Sequence, residues 1–212
     1  MLKAVTTKGT TFVTKPKILV ITSTVREGRL GSKIADWYID QAKEATKDME
    51  FELLDINELN LPLFNEPMPP LFHQYSEIQN KLADIIAGAD GFVFITGEYN
   101  YSVPGSLKNF LDYIYAEWGR RPATFVGYGS RGGVVAIQAL VNILSGLGVP
   151  TLGWYGYTLH IDSPWEAFDD NGKLREELLK GDVTKQVNEL RLWAESFKEV
   201  RVKASGDNSG DK

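Results

Sequence analysis

The sequence contains no cysteine. That excludes a disulfide framework, thiolate metal sites and a cysteine nucleophile. It leaves the redox compartment unmarked, with a reducing cytosol as the default. Histidine is scarce: His73 and His160 are the two present, and without a nearby carboxylate pair they make a poor metal site. No apolar run approaches the roughly 18 residues that would suggest a membrane span. Positive charge is in deficit, 23 basic against 28 acidic side chains for a net charge of -5, which argues against nucleic-acid binding. What is present is a globular composition, 43% hydrophobic and 11% aromatic over 212 residues. That length predicts one domain, at most two small ones. It buries roughly 70% of its unfolded surface, so it needs no disulfide or metal to hold a core.

The segment 1–16 carries lysines without acids, arginine or an apolar signal core, and reads as an N-terminal arm. Residues 203–212 are polar after Ala204 and read as a disordered tail. Between them, 17–202, apolar runs alternate with helical patterns. Lys17 to Ile21, Phe51 to Asp55, Gly91 to Thr96 and Ala123 to Tyr128 read as strands, with a fifth within Thr151 to Tyr157. Helices are expected from Gly31 to about Asp48, Tyr75 to Ala87, Pro104 to Tyr115, Val134 to about Leu147 and from Val183 onward. Ser102 and Pro104 fit the start of the third helix. The proline-rich segment from Asn57 to Pro70 reads as a loop. Buried strands alternating with helices mean an α/β fold, a parallel sheet with helices on both faces. Ligands in such sheets bind beyond the carboxyl ends of the strands.

Three strand-to-helix loops therefore hold the candidate chemistry. The first, Thr22 to Ser32, offers hydroxyls, Arg26, Arg29 and glycines ahead of a helix N-terminus. Free amides, the helix dipole and guanidinium groups favour a phosphate there, against the alternative of solvated loop charges. The second, Thr96 to Gly105, carries Tyr99 and Tyr101 as flat surface for a ring, and Asn100 to bond its edge. It also reads as a polar turn with packed tyrosines. The third contains Gly127-Tyr128-Gly129-Ser130-Arg131-Gly132, a G-x-G-x-x-G string. A dinucleotide reading is weakened because no acid occurs between Glu117 and Asp162; the glycines are expected to let backbone amides approach a flat ligand. Tyr128 stands where a nucleophile elbow needs glycine, and His160 precedes Asp162, the wrong order for that fold's triad.

Ser23 to Gly31, Glu98 to Asn109 and Gly129 to Gly133 together resemble the motifs of the NAD(P)H-dependent FMN reductase family. The likeness runs in order over roughly residues 16 to 200, and the middle motif is the most specific. Ser23 stands where the family commonly has glycine, Thr24 where it has serine, and Gly97 where it has proline. The resemblance implies a flavodoxin-like three-layer sandwich with a five-stranded parallel sheet in the order 2-1-3-4-5. It implies that Thr24, Arg26, Arg29 and the Gly31 amide hold the phosphate of FMN. Glu98, Tyr99, Asn100 and Tyr101 would lie along the isoalloxazine, mostly through backbone groups. Ser130, Arg131, Gly132 and Gly133 would bond its pyrimidine edge.

The expectation is an FMN-dependent oxidoreductase that takes a hydride from NAD(P)H and passes electrons to a quinone, flavin, azo compound or other small acceptor. The flavin carries the chemistry, so no catalytic side chain and no metal are expected. The alternatives are a flavodoxin-type electron carrier without its own NAD(P)H oxidation, and a non-enzymatic relative of the fold. The nearly all-apolar stretch Val134 to Leu147, with Trp118 nearby as an exposed aromatic, suggests a homo-oligomer, against the alternative that neighbouring helices cover it within one chain; the resemblance implies a homodimer or homotetramer. A cytoplasmic location, with neither nucleic acid nor membrane as partner, completes the reading.

Overall fold

The computed structural model describes residues 14–153 and 156–207. The expected arm therefore lies almost wholly outside the described residues. Along the chain run β1 (Lys17–Thr22), α1 (Gly31–Ala45), β2 (Glu50–Asp55), α2 (Glu77–Ala87), β3 (Gly91–Gly97), α3 (Gly105–Asp112), β4 (Ala123–Gly129), α4 (Val134–Gly146), β5 (Thr158–Asp162), β6 (Leu179–Lys180) and α5 (Val183–Asp207). One six-stranded sheet has the order β2-β1-β3-β4-β5-β6. The first five strands pair in parallel, and the two-residue β6 adds an antiparallel edge on β5. This is the flavodoxin-like three-layer arrangement with one strand more than expected.

The period-2 pleat divides each buried strand between two cores. Leu19, Ile21, Phe92, Phe94 and Phe125 face α2, α3 and α4. Ile18, Val20, Val93, Ile95, Val126 and Tyr128 face α1 and α5. This is why β1, β3 and β4 read as unbroken apolar runs. β2 is the exception: as the edge strand it is partly exposed. Order reverses at β1, since β2 lies on one side of it and β3 on the other. The loops leaving β1 and β3 part there and open a crevice.

Four expectations need correction. The fifth strand is Thr158–Asp162, not a segment within 151–157. Thr151 makes one isolated bridge to Ala123, and Gly156 at φ +77° interrupts an extended path. The strand starts two residues later, with Leu159 and Ile161 buried, in register with Phe125 to Gly129. Second, Trp118 is not exposed: it is fully buried against Phe92, Phe94 and Phe110. Third, α5 continues to Asp207, beyond the boundary drawn after residue 202; 208–212 lie outside the described residues. Fourth, Ser102 does not cap α3. Pro104 occupies that N-cap with no side-chain bond, while Ser102 closes the preceding turn.

Candidate functional site

Thr22 ends β1, and Ser23 knits the first loop into the sheet. Its amide donates to the Ile95 carbonyl, its Oγ accepts from the Gly97 amide, and its carbonyl accepts from Ser106 Oγ at 2.6 Å. Thr24 is buried, with Oγ1 3.0 Å from the Tyr128 hydroxyl. The chain turns through Gly28 at φ +69°, closed by the Arg29 amide on the Arg26 carbonyl. α1 then begins behind Leu30, which supplies no side-chain cap, and its first turn holds no acid. Its N-terminal amides and positive dipole end are thus left to attract an anion.

The two arginines are not equivalent. Arg26 is exposed, donating to the Glu27 carbonyl at 3.3 Å. Arg29 folds back onto Asp55 at the end of β2, Nη2 to Oδ2 2.8 Å, while its buried Nε has no protein partner. Asp55 also accepts from Thr22 Oγ1 and the Asn57 amide. Burial alone would raise the Asp55 carboxyl; the Arg29 guanidinium, the Asn57 amide and the Thr22 hydroxyl together bring it below its ordinary value. An orphaned guanidinium N–H beside uncapped helix amides fits an anionic group such as a phosphate.

The second loop is a two-residue hairpin turn. The Tyr99 and Ser102 amides each donate to the other's carbonyl at 3.0 Å, and Asn100 and Tyr101 both have positive φ, 47° and 61°. That is the type I′ geometry. Asparagine tolerates the left-handed region, whereas a tyrosine there is strained. Tyr101 is 66% exposed. Glu98 reaches across to α4: Oε2 accepts from the Val135 and Ala136 amides at 3.0 and 3.3 Å. It caps a helix whose own N-cap, Gly133, has no side chain to offer.

The glycines of the third loop serve the protein's own packing. A Cβ on Gly127 would lie 2.6 Å from the Gly132 carbonyl oxygen, one on Gly132 2.8 Å from His160 Cβ, and one on Gly133 2.6 Å from the Tyr128 amide. Gly132 and Gly133 also need φ of +63° and +67°. They let the loop fold back on β4 and β5. His160 is tied into the same fold, Nδ1 to the Gly132 carbonyl 2.9 Å and Nε2 to Thr158 Oγ1 3.0 Å. His73 stands apart, beside Tyr75 and Glu117.

These loops enclose a cleft of about 320 Å³. Of the residues expected from the sequence, Thr24, Arg26, Arg29, Glu98, Tyr99 and Ser130 line it. Gly31, Asn100, Tyr101, Arg131, Gly132 and Gly133 stand in the same loops without lining it. Leu30, Gly97, Tyr128, Gly129, Pro164 and Trp165 complete the wall and were not expected. Alternation along β4 carried a signal for Tyr128: it falls on the Val126 face at the strand's last turn of pleat. Trp165 carried none, because its place depends on where β5 ends. Ser163, at φ +44°, donates its amide to the Gly129 carbonyl, and this brings the next two residues to the cleft. Trp165 remains 64% exposed there. Among the described residues, no three histidine, aspartate or glutamate side chains gather as a metal-binding group. No described helix is long and apolar enough to cross a membrane.

Residues 16–162 match the model of a family described as NADPH-dependent FMN reductase. A NAD(P)H-dependent FMN reductase of Schizosaccharomyces pombe is 41% identical over 121 residues, 56% of this chain and 60% of that protein. A second, from Pseudomonas aeruginosa, is 30% identical over 183 residues, 84% of this chain and 94% of that protein. Among solved structures, the flavoenzyme NAD(P)H:(acceptor) oxidoreductase FerB from Paracoccus denitrificans is similar with a TM-score of 0.62 and 25% identity, over 86% of this chain and 98% of that one. The chain spans about 60% of the length of the first of these relatives.

Proposed function

Because this chain belongs to the NADPH-dependent FMN reductase family, we propose that it binds FMN at the cleft and uses NAD(P)H to reduce a small acceptor. The observation that carries this reading is the convergence of an uncapped α1 N-terminus with Arg26, the free Nε of Arg29 and Thr24 on one side of that cleft. In it, Thr24, Arg26, Arg29 and the Gly31 amide hold the phosphate. The Glu98–Tyr101 turn lies along the ring through its backbone, which suits a Glu98 carboxylate already committed to α4. Backbone groups of Ser130, Arg131, Gly132 and Gly133 meet the pyrimidine edge.

Bound FMN supplies the redox chemistry, accepting a hydride from NAD(P)H and returning electrons to the acceptor. The protein's part is to fix the ring, to present donors to its polar edge and to shield one face from water. Tyr99 and Trp165 are exposed aromatic surfaces on the cleft. They suit planar acceptors such as quinones, flavins or azo compounds, taken by stacking and not by directional bonds. The test is direct: the purified protein should carry a flavin spectrum, bleach with NADPH or NADH, and consume either when a quinone is added. Protein that takes up no FMN at micromolar concentration would refute the reading.

The proposal extends to a cytoplasmic homodimer or homotetramer. Leu63, Leu71 and Phe72 are 84%, 57% and 58% exposed, and Val134 opens α4 to solvent at 41%; such apolar surface suits contact with a second copy. A monomeric mass by light scattering would remove this part.

A further inference from the structure

Tyr128 stands at the end of β4, yet its ring reaches the first loop, 104 residues away in sequence. The phenol is wedged between two glycines. A Cβ on Gly97 would lie 3.1 Å from ring atoms Cε2 and Cζ, and one on Gly31 would lie 3.2 Å from the hydroxyl oxygen. The same Gly31 Cβ would come within 2.9 Å of Thr24 Oγ1. So the start of α1 and the end of β3 both give up a side chain where this phenol and the Thr24 hydroxyl meet. Thr24 is 1% exposed and Tyr128 6%, and both line the cleft.

The two hydroxyls carry two protons between them, and the bond joining them at 3.0 Å uses one. A phenol is the stronger acid of the two. Burial outweighs the Thr24 hydrogen bond and pushes the Tyr128 phenol up to about 12, so it keeps its proton at neutral pH. We infer that Tyr128 is a positioning residue for the anion subsite: it donates to Thr24 Oγ1 and thereby turns the threonine's own proton into the cleft, toward a phosphate. With the Tyr128 proton on one tetrahedral position of Thr24 Oγ1, the threonine's own proton keeps only the other two.

The inference rests on the FMN reading, and it assigns a phosphate-specific role where that reading has none for Tyr128. The test is a fluorescence titration of flavin-free protein with FMN and with riboflavin, which lacks the phosphate. The unaltered protein should prefer FMN. Tyr128→Phe keeps the ring in its slot and should lose about tenfold in FMN affinity, the scale of one net hydrogen bond, with riboflavin unchanged. Thr24→Val should lose a comparable factor, Thr24→Ser should restore most of it, and the Tyr128→Phe/Thr24→Val pair should lose little more than either alone. Equal losses for FMN and riboflavin in Tyr128→Phe would reduce the residue to a packing role and overturn the inference. So would an unaltered FMN affinity. Unmodified protein that binds riboflavin as tightly as FMN would sink the phosphate subsite itself, and the inference with it.

Discussion

At the scale of single residues, the two arginines of the first loop should answer differently to the same truncation. Arg26 is exposed and bound only to a neighbouring carbonyl. Arg26→Ala should weaken FMN binding by about tenfold, near 1.4 kcal/mol, and leave the thermal midpoint in place. Arg29 neutralises Asp55 in a setting where both are largely buried. Arg29→Ala should therefore weaken FMN binding and also lower stability, by about 1–2 kcal/mol after allowance for solvent screening. Calorimetry beside flavin titration separates the two effects. Asp55 gives this a pH signature. Its folded-state carboxyl titrates below the ordinary 3.8, so its stabilising contribution is complete above that value and fades as pH falls through the folded one. Asp55→Asn should thus be less stable than the parent at pH 7, and the gap should close in acid. A gap that persists at pH 2 would mean that the Asp55 charge is not its source.

At the scale of elements, two loops are held by side chains that look, locally, like ligand contacts. Glu98 caps α4 from another strand's loop. Glu98→Ala should cost about 0.5–2 kcal/mol, as loss of an N-cap does, read as a lower urea midpoint with an unchanged slope. The Asn100-Tyr101 turn holds a tyrosine in the left-handed region. Tyr101→Gly should stabilise by roughly 1 kcal/mol, since glycine bears no penalty there. A thermal midpoint that does not rise would mean the strain is relieved elsewhere. Such strain tends to persist at binding sites, where the side chain's position is needed. The same turn shows what sequence could and could not convey. Tyr99 to Ser102 was readable as a turn; that both central residues take positive φ was not. The swap of the fifth strand has a similar cause. The segment 151–157 is rich in aromatic residues, but it also carries Gly153 and Gly156, and pairing goes to the segment whose alternation matches β4 in register, Leu159 and Ile161.

Over the whole molecule, the cleft draws its wall from four strand ends. The fourth is the unexpected one, since Trp165 follows β5 and lies beyond the part of the chain matched by the family model. Trp165→Ala should raise KM for a planar quinone several-fold, the scale of one lost aromatic contact of about 1 kcal/mol. It should leave FMN retention and the KM for a small inorganic acceptor such as ferricyanide alone, with Trp165→Phe recovering most of the loss. Equal changes for both acceptors would place the residue outside the acceptor's path.

Hydrophobic periodicity is local, so the sequence by itself determined the alternation of strands and helices, the two-faced burial of β1, β3 and β4, and the three loops that gather at one end of the sheet. The family likeness added the strand order. Only the tertiary structure decided which side chain in those loops meets which. Arg29 with Asp55, Glu98 with α4 and Tyr128 with Thr24 are separated by 26, 37 or 38, and 104 residues. Such pairs exist only once neighbouring strands are in register, and polar pairing across a sheet leaves no period in the chain to be read.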